Sequence, residues 1–214
     1  MGRPIVVSKC RFAAMTERVR NKTMPDIASA KDILFELQVE QHHHDEAYHR
    51  EIARLSLHHR LNHMALHFAK YAGKVAAKSS VRECVPVFVD TLIIALSTAN
   101  ILNVELWGLL ETEGREYPGL LAFGRSLAAK AGIGVSDYSR LVANTAIASG
   151  RMAAACEKID HLEEILFRAE VRTSIASLAT TSLAVISAQG IDPAQAVHER
   201  LDSVKKRSIL HGRI

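Results

Sequence analysis

His63 and His67 stand four residues apart in a stretch of helical character, where two imidazoles can chelate one metal ion. They belong to a longer stripe, His59, His63, His67, Lys70 and Lys74, rotated well away from the apolar stripe Leu61, Met64 and Phe68. Further along, Glu83 and Asp90 are seven residues apart and share a helix face, so either could supply a carboxylate from a facing helix. Imidazole and carboxylate together favour zinc, manganese or iron over magnesium. Lys70 and Lys74 on the same stripe are the groups placed to meet phosphate. The alternative is a polar stripe facing solvent or another subunit, with Asp90 held by a neighbouring Lys or His.

Eight of the eleven histidines lie between His42 and His67. His42-His43-His44 reads as a surface turn, an adventitious metal binder, or part of a site. Glu40-x-x-His43 and Glu46-x-x-His49 have the spacing of diiron ligands, but that site needs the two motifs on different bundle helices. His44-Asp45 has the form of the HD phosphohydrolase dyad, yet no histidine precedes His42 to act as the first ligand of that fold. No glycine-rich phosphate loop, nucleophile elbow or zinc-protease helix is present. Lys205, Lys206 and Arg207 either meet phosphate or complement the dipole at the end of the last helix.

The elements that must hold these groups are helices. Between Asp26 and Ala72 there is neither glycine nor proline, and β-branched residues are sparse. The pattern predicts a first helix from Asp26, carrying Ile27, Ala30, Leu34 and Leu37, and a polar break at Gln41–Asp45. A second helical stretch follows from Glu46 to Lys78. Ser80-Val81-Arg82-Glu83 is a capping signature for a third helix reaching Leu102, with Asn103 as a left-handed cap and Pro86 inside it. A short helix from Leu106 precedes a polar connection at 113–118, the expected domain boundary. Helices are then expected from Leu120 to Lys130, from Ser136 to Lys158, from Asp160 to Gly190, and after the Asp192-Pro193 pair.

With 214 residues and 23.5 kDa, the chain is large enough to bury a substantial core without disulfides or a structural metal. Its three cysteines, Cys10, Cys84 and Cys156, make neither a disulfide framework nor a cysteine-based zinc site, which fits a reducing cytoplasm. The best apolar window, Val85 to Leu102, is interrupted by Asp90, Ser97, Thr98 and Asn100, so no membrane span is expected. A formal charge of +4 would permit nucleic-acid binding, but aromatic residues make up only 5% and the cations form no dense run, so nucleic acid is not the expected partner. The most basic stretch is an N-terminal arm, residues 1–25.

The two halves look like copies. Ala72-Gly73-Lys74-Val75-Ala76-Ala77 aligns with Ser149-Gly150-Arg151-Met152-Ala153-Ala154, and Asn103-Val104-Glu105-Leu106 with Gly190-Ile191-Asp192-Pro193. The segments Ala65-Leu66-His67-Phe68-Ala69-Lys70, Val89-Asp90-Thr91-Leu92 and Ala99-Asn100-Ile101-Leu102-Asn103, with their second-half counterparts, resemble the all-α nucleoside triphosphate pyrophosphohydrolases of the MazG type. The resemblance implies an all-α fold of two tandem MazG-like four-helix units, 26–113 and 118–210, packed as an internal pseudo-dimer, with further homo-oligomerisation. It also implies a nucleotide partner, release of pyrophosphate from a nucleoside triphosphate, and a divalent metal (Mg, Mn or Zn) held by carboxylates in an EExxE and ExxD pattern.

This sequence departs from that pattern. Asp90 matches its final acid, but Val87 stands three residues before, and His63, Met64 and His67 occupy the EExxE positions. The second copy has Arg140, Leu141, Asn144, Ser174 and Ser177 there, with no acid at all. The candidate metal ligands are therefore Asp90, His63, His67 and Glu83, with Lys70 and Lys74 toward the substrate. A catalytically inactive homologue serving nucleotide sensing or protein assembly is the other expectation.

Overall fold

The structure, a computed structural model, describes residues 28–110, 115–131, 137–209 and 211–213. The basic arm, the expected start at Asp26 and the expected cap Ser136 lie outside these residues. The described chain is helical throughout, with no strand among the described residues: α1 (Ala30–Tyr48), α2 (Arg50–Ala53), α3 (Leu57–Ala76), α4 (Val81–Leu102), a 3-10 turn (Leu106–Leu109), α5 (Gly119–Ala131), α6 (Tyr138–Asp160), α7 (Phe167–Ala188) and α8 (Pro193–Arg207).

Local chemistry sets most boundaries. Ser29, Ser56, Ser80 and Asp192 each accept a backbone N–H of the following helix through the side chain, satisfying one of the orphan donors at its start. Asn103 closes α4 in the left-handed region at φ 52°, as the sequence suggested. Three expectations are corrected. The single helical stretch expected from Glu46 to Lys78 is broken: its start belongs to α1, the short α2 follows, and Ser56 caps a new helix at Leu57. α1 runs straight through Gln41–Asp45 and ends at His49, because Gln41 and His44 continue the buried stripe of Ala30, Leu34 and Leu37. Asp160 ends α6 instead of capping α7, which starts at Phe167.

α4 and α7 form the centre of the bundle and pack against each other. Both are long and apolar enough to cross a membrane, but 78% and 67% of their most apolar windows are buried inside the protein. The interruptions at Ser97 and Thr98 are met within the fold: Thr98 donates to the Ile94 carbonyl at 2.6 Å and Ser97 to Asp45 at 2.6 Å. Around this pair α3 lies on α6, α1 on α4, and α5 on α7, while α8 bridges α1 and α4. Ser29 and Pro118, at the starts of the two halves, pair as an isolated antiparallel bridge.

Polar staples fix the angle of α1. The buried Gln38 donates to Asn100 at 3.0 Å and to the Val104 carbonyl at 3.1 Å, and accepts the Leu106 N–H at 2.6 Å. Both Nε2 protons and one lone pair of Oε1 are thereby engaged, so α1 cannot slide along α4 without exposing unsatisfied groups.

Candidate functional site

α1, α3, α4 and α8 converge on a cavity of about 290 Å³, at the lower end for small-molecule sites. α3 presents one face to it. Leu61, Met64 and Phe68 point into the core, which turns His63, His67, Lys70 and Lys74 to the cavity. Asp90 enters from α4 and Arg200 from α8.

The α3 face is a connected chain of polar groups. Lys70 Nζ lies 3.0 Å from His67 Nδ1, and His67 Nε2 lies 3.1 Å from His63 Nε2. An ammonium can only donate, so His67 accepts at Nδ1 and carries its proton on Nε2, which it donates to His63. Both imidazoles are thus neutral in this arrangement. Burial, reinforced by the Lys70 charge, lowers the His63 pKa and drives that of His67 down to about 4. Burial and Lys74 likewise lower Lys70. The Lys70 and Lys74 ammoniums sit 4.7 and 5.8 Å from the centre of the Tyr71 ring.

Asp90 is not open to a ligand in the same way. Arg200 grips it from two nitrogens, Nε donating to Oδ1 at 2.5 Å and a terminal nitrogen to Oδ2 at 3.2 Å. The pair ties α8 onto α4 and raises the pKa of Arg200.

At the far end of the cavity, the last turn of α1 brings His44, Asp45 and His49 together, with one ligand atom from each within 4.8 Å of the others. Asp45 is held by Gln41 at 2.8 Å and Ser97 at 2.6 Å, one bond to each carboxylate oxygen. His44 is 8% exposed, and neither of its ring nitrogens has a hydrogen-bond partner of good geometry. Its pKa is lowered by burial and by His49, the backbone of Leu201 and the neighbouring acids pulling weakly the other way.

Of the residues singled out from the sequence, the structure gathers His63, His67, Lys70, Lys74 and Asp90 around one cavity. Glu83 stands apart from it. Its backbone N–H and one carboxylate oxygen engage the Ser80 hydroxyl at the start of α4, a capping arrangement. His59 also turns away, 2.7 Å from the Ser56 hydroxyl. His44, Asp45 and His49, weighed in the sequence only within the triple-histidine, HD-type and diiron motifs, also line the cavity, as do Arg60 and Arg200, which the sequence did not single out. The alternation of four- and three-residue steps through Ala30, Leu34, Leu37, Gln41 and His44 was the available signal for the first of these.

Magnesium takes oxygen donors in near-octahedral geometry. The positions at which the resemblance calls for carboxylates hold His63, Met64, His67 and Val87, and their one acid, Asp90, is bound by Arg200. This donor set does not fit Mg²⁺.

A second cavity, of about 680 Å³, lies among α5, α6, α7 and the 3-10 turn. Asn144 and Ser177, which the expected repeat aligns with His67 and Asp90, line it with Lys130 and Arg172, and neither a histidine nor an acid is among its described lining residues. No protein-family model matches the chain, and neither a curated protein nor a solved structure matches it.

Proposed function

We propose that the chain is a divergent MazG-like bundle whose first-half cavity binds a nucleotide through its phosphates, without the magnesium-dependent hydrolysis associated with that family. The observation that carries this reading is the combination in one cavity of Lys70, Lys74 and Arg60 with an aspartate already neutralised by Arg200. Lys70 and Lys74, both beside the Tyr71 ring, offer point charges to phosphate oxygens. A carboxylate cluster that would hold magnesium is replaced by neutral imidazoles.

The tandem arrangement is part of the same proposal. α3 lies on α6, α4 on α7 and α1 on α5, so helices that correspond in the repeat pack on one another, as a two-fold axis between the halves would require. The Ser29–Pro118 bridge and the corresponding positions of the two cavities support it. On this reading the first unit carries the ligand site and the second supplies its packing partner.

Titration of the full chain with ATP, dATP and GTP, followed by calorimetry and by a pyrophosphate-release assay, tests the reading. Saturable binding without pyrophosphate release is expected in Mg²⁺. Absence of binding would overturn it. A second reading, hydrolysis assisted by a cation other than magnesium, is favoured by the His44–Asp45–His49 cluster, and pyrophosphate release that requires Mn²⁺ or Zn²⁺ would establish it in place of the first.

A further inference from the structure

We infer that His44, Asp45 and His49 form a binding site for a single divalent cation of the zinc class, open on its fourth side to the cavity. Three features point there. The first is convergence: the three ligand atoms lie within 4.8 Å of one another. Tetrahedral bonds of about 2.0–2.2 Å need donors about 3.4 Å apart, so small side-chain rotations toward a shared ion close the set. The second is His44, 8% exposed, whose ring nitrogens have no hydrogen-bond partner of good geometry, the Leu201 backbone being the polar group beside the ring. A buried imidazole left so is costly unless something else satisfies it, and an ion is one of the few groups small enough. Gln41, 2% exposed, has its Oε1 unpartnered in the same place.

The third is the outer shell. Gln41 and Ser97 each donate to one oxygen of Asp45, leaving a lone pair on both oxygens and fixing the carboxylate plane. Such second contacts are what orient ligating carboxylates. Two imidazoles and one carboxylate make a donor set of borderline softness, which selects zinc, cobalt or manganese and disfavours the all-oxygen ion magnesium. Three protein ligands with one open position is the arrangement in which zinc keeps a water or takes a ligand atom. His63 and His67 line the cavity that this position faces.

The site stands or falls apart from nucleotide binding, since its test contains no nucleotide. Full-length protein stripped with a chelator is titrated with Zn²⁺ against a chromophoric competitor, and with Co²⁺, whose visible absorption reports four-coordinate ligation. One equivalent is expected to bind, with Mg²⁺ failing to compete. Asp45→Asn and His49→Ala should each weaken Zn²⁺ binding by at least about tenfold, the scale on which even supporting contacts act. His42→Ala/His43→Ala and His63→Gln/His67→Gln should leave it unchanged. His49 is half-exposed at the end of α1, so its variant carries the test if Asp45→Asn lowers stability. Wild-type affinity in His49→Ala, loss only in the His42/His43 or His63/His67 variant, or no stoichiometric binding by the wild type would overturn the inference.

Discussion

Arg200 and Asp90 are 110 residues apart in sequence, yet meet in a two-pronged contact that joins the last helix to the first of the two central ones. The side chain of Asp90 is 17% exposed and that of Arg200 34%. This contact closes one side of the cavity and uses the only acid that matches the pyrophosphohydrolase pattern.

Replacing Arg200 by Ala should leave a largely buried carboxylate without its donors. Hydrogen bonds to charged groups are worth about 1.5–3 kcal/mol, so a loss on that order is expected in urea denaturation. Because the two residues act as one unit, Arg200→Ala combined with Asp90→Asn should cost less than the sum of the single changes. Additive costs would mean that the contact contributes nothing to the fold.

Acidification should destabilise the metal-free protein. His67 is held at about 4 in the folded state against an ordinary 6.5, by burial first and then by Lys70, His63 and His49, with Asp90 opposing. Its contribution is therefore fully present above pH 6.5 and is lost as pH falls toward 4, because the unfolded chain takes up the proton that the folded one refuses. Urea midpoints measured in a chelator from pH 7.5 to 4.5 should fall, and His67→Gln should flatten that slope. An unchanged slope in the variant would remove His67 as the cause.

At Gly124 the backbone of α5 lies close against α7. A Cβ there would lie 2.5 Å from the Leu183 carbonyl oxygen and 2.0 Å from the Ser187 hydroxyl. The hydroxyl can rotate, but the backbone oxygen cannot, so Gly124→Ala should force the helices apart and cost at least about 1–3 kcal/mol, despite the better helix propensity of alanine. Gly73 and Gly150 have open space at that position, and alanine there should be neutral or mildly stabilising in thermal denaturation.

Cys84 and Cys156 should resist thiol reagents in the native state. Both are buried, and burial raises their pKa, that of Cys156 to about 11, so little thiolate forms at pH 8. Peptide mapping after labelling should find the two modified only in urea. Labelling of either under native conditions would mean that the core around it opens.

Much of the scaffold was legible because its signals are local. Ser80, Asn103 and the Asp192-Pro193 pair each act within one turn of a helix end, and each does what its chemistry suggests. The α3 stripe was legible for the same reason, since four-residue spacing alone sets His63 and His67 side by side. The end of α1 was not. Gln41, His44 and Asp45 look like a solvated break, and only the cavity beside α4 lets so polar a run stay helical and inward. Arg200 was invisible for a different reason: nothing within α8 distinguishes it from a surface cation, and its partner lies in the other half of the chain.

The first-half cavity as the ligand site is tested most directly by calorimetric titration of ATP into three proteins: wild type, Lys70→Ala/Lys74→Ala, and Arg172→Ala, which strips a cation from the second cavity instead. Both lysines are exposed, so their removal should spare the fold. The double variant should bind at least about tenfold more weakly, a difference of about 1.4 kcal/mol or more, with Arg172→Ala matching the wild type. Equal affinity in wild type and the lysine double variant, or a loss confined to Arg172→Ala, would contradict the assignment.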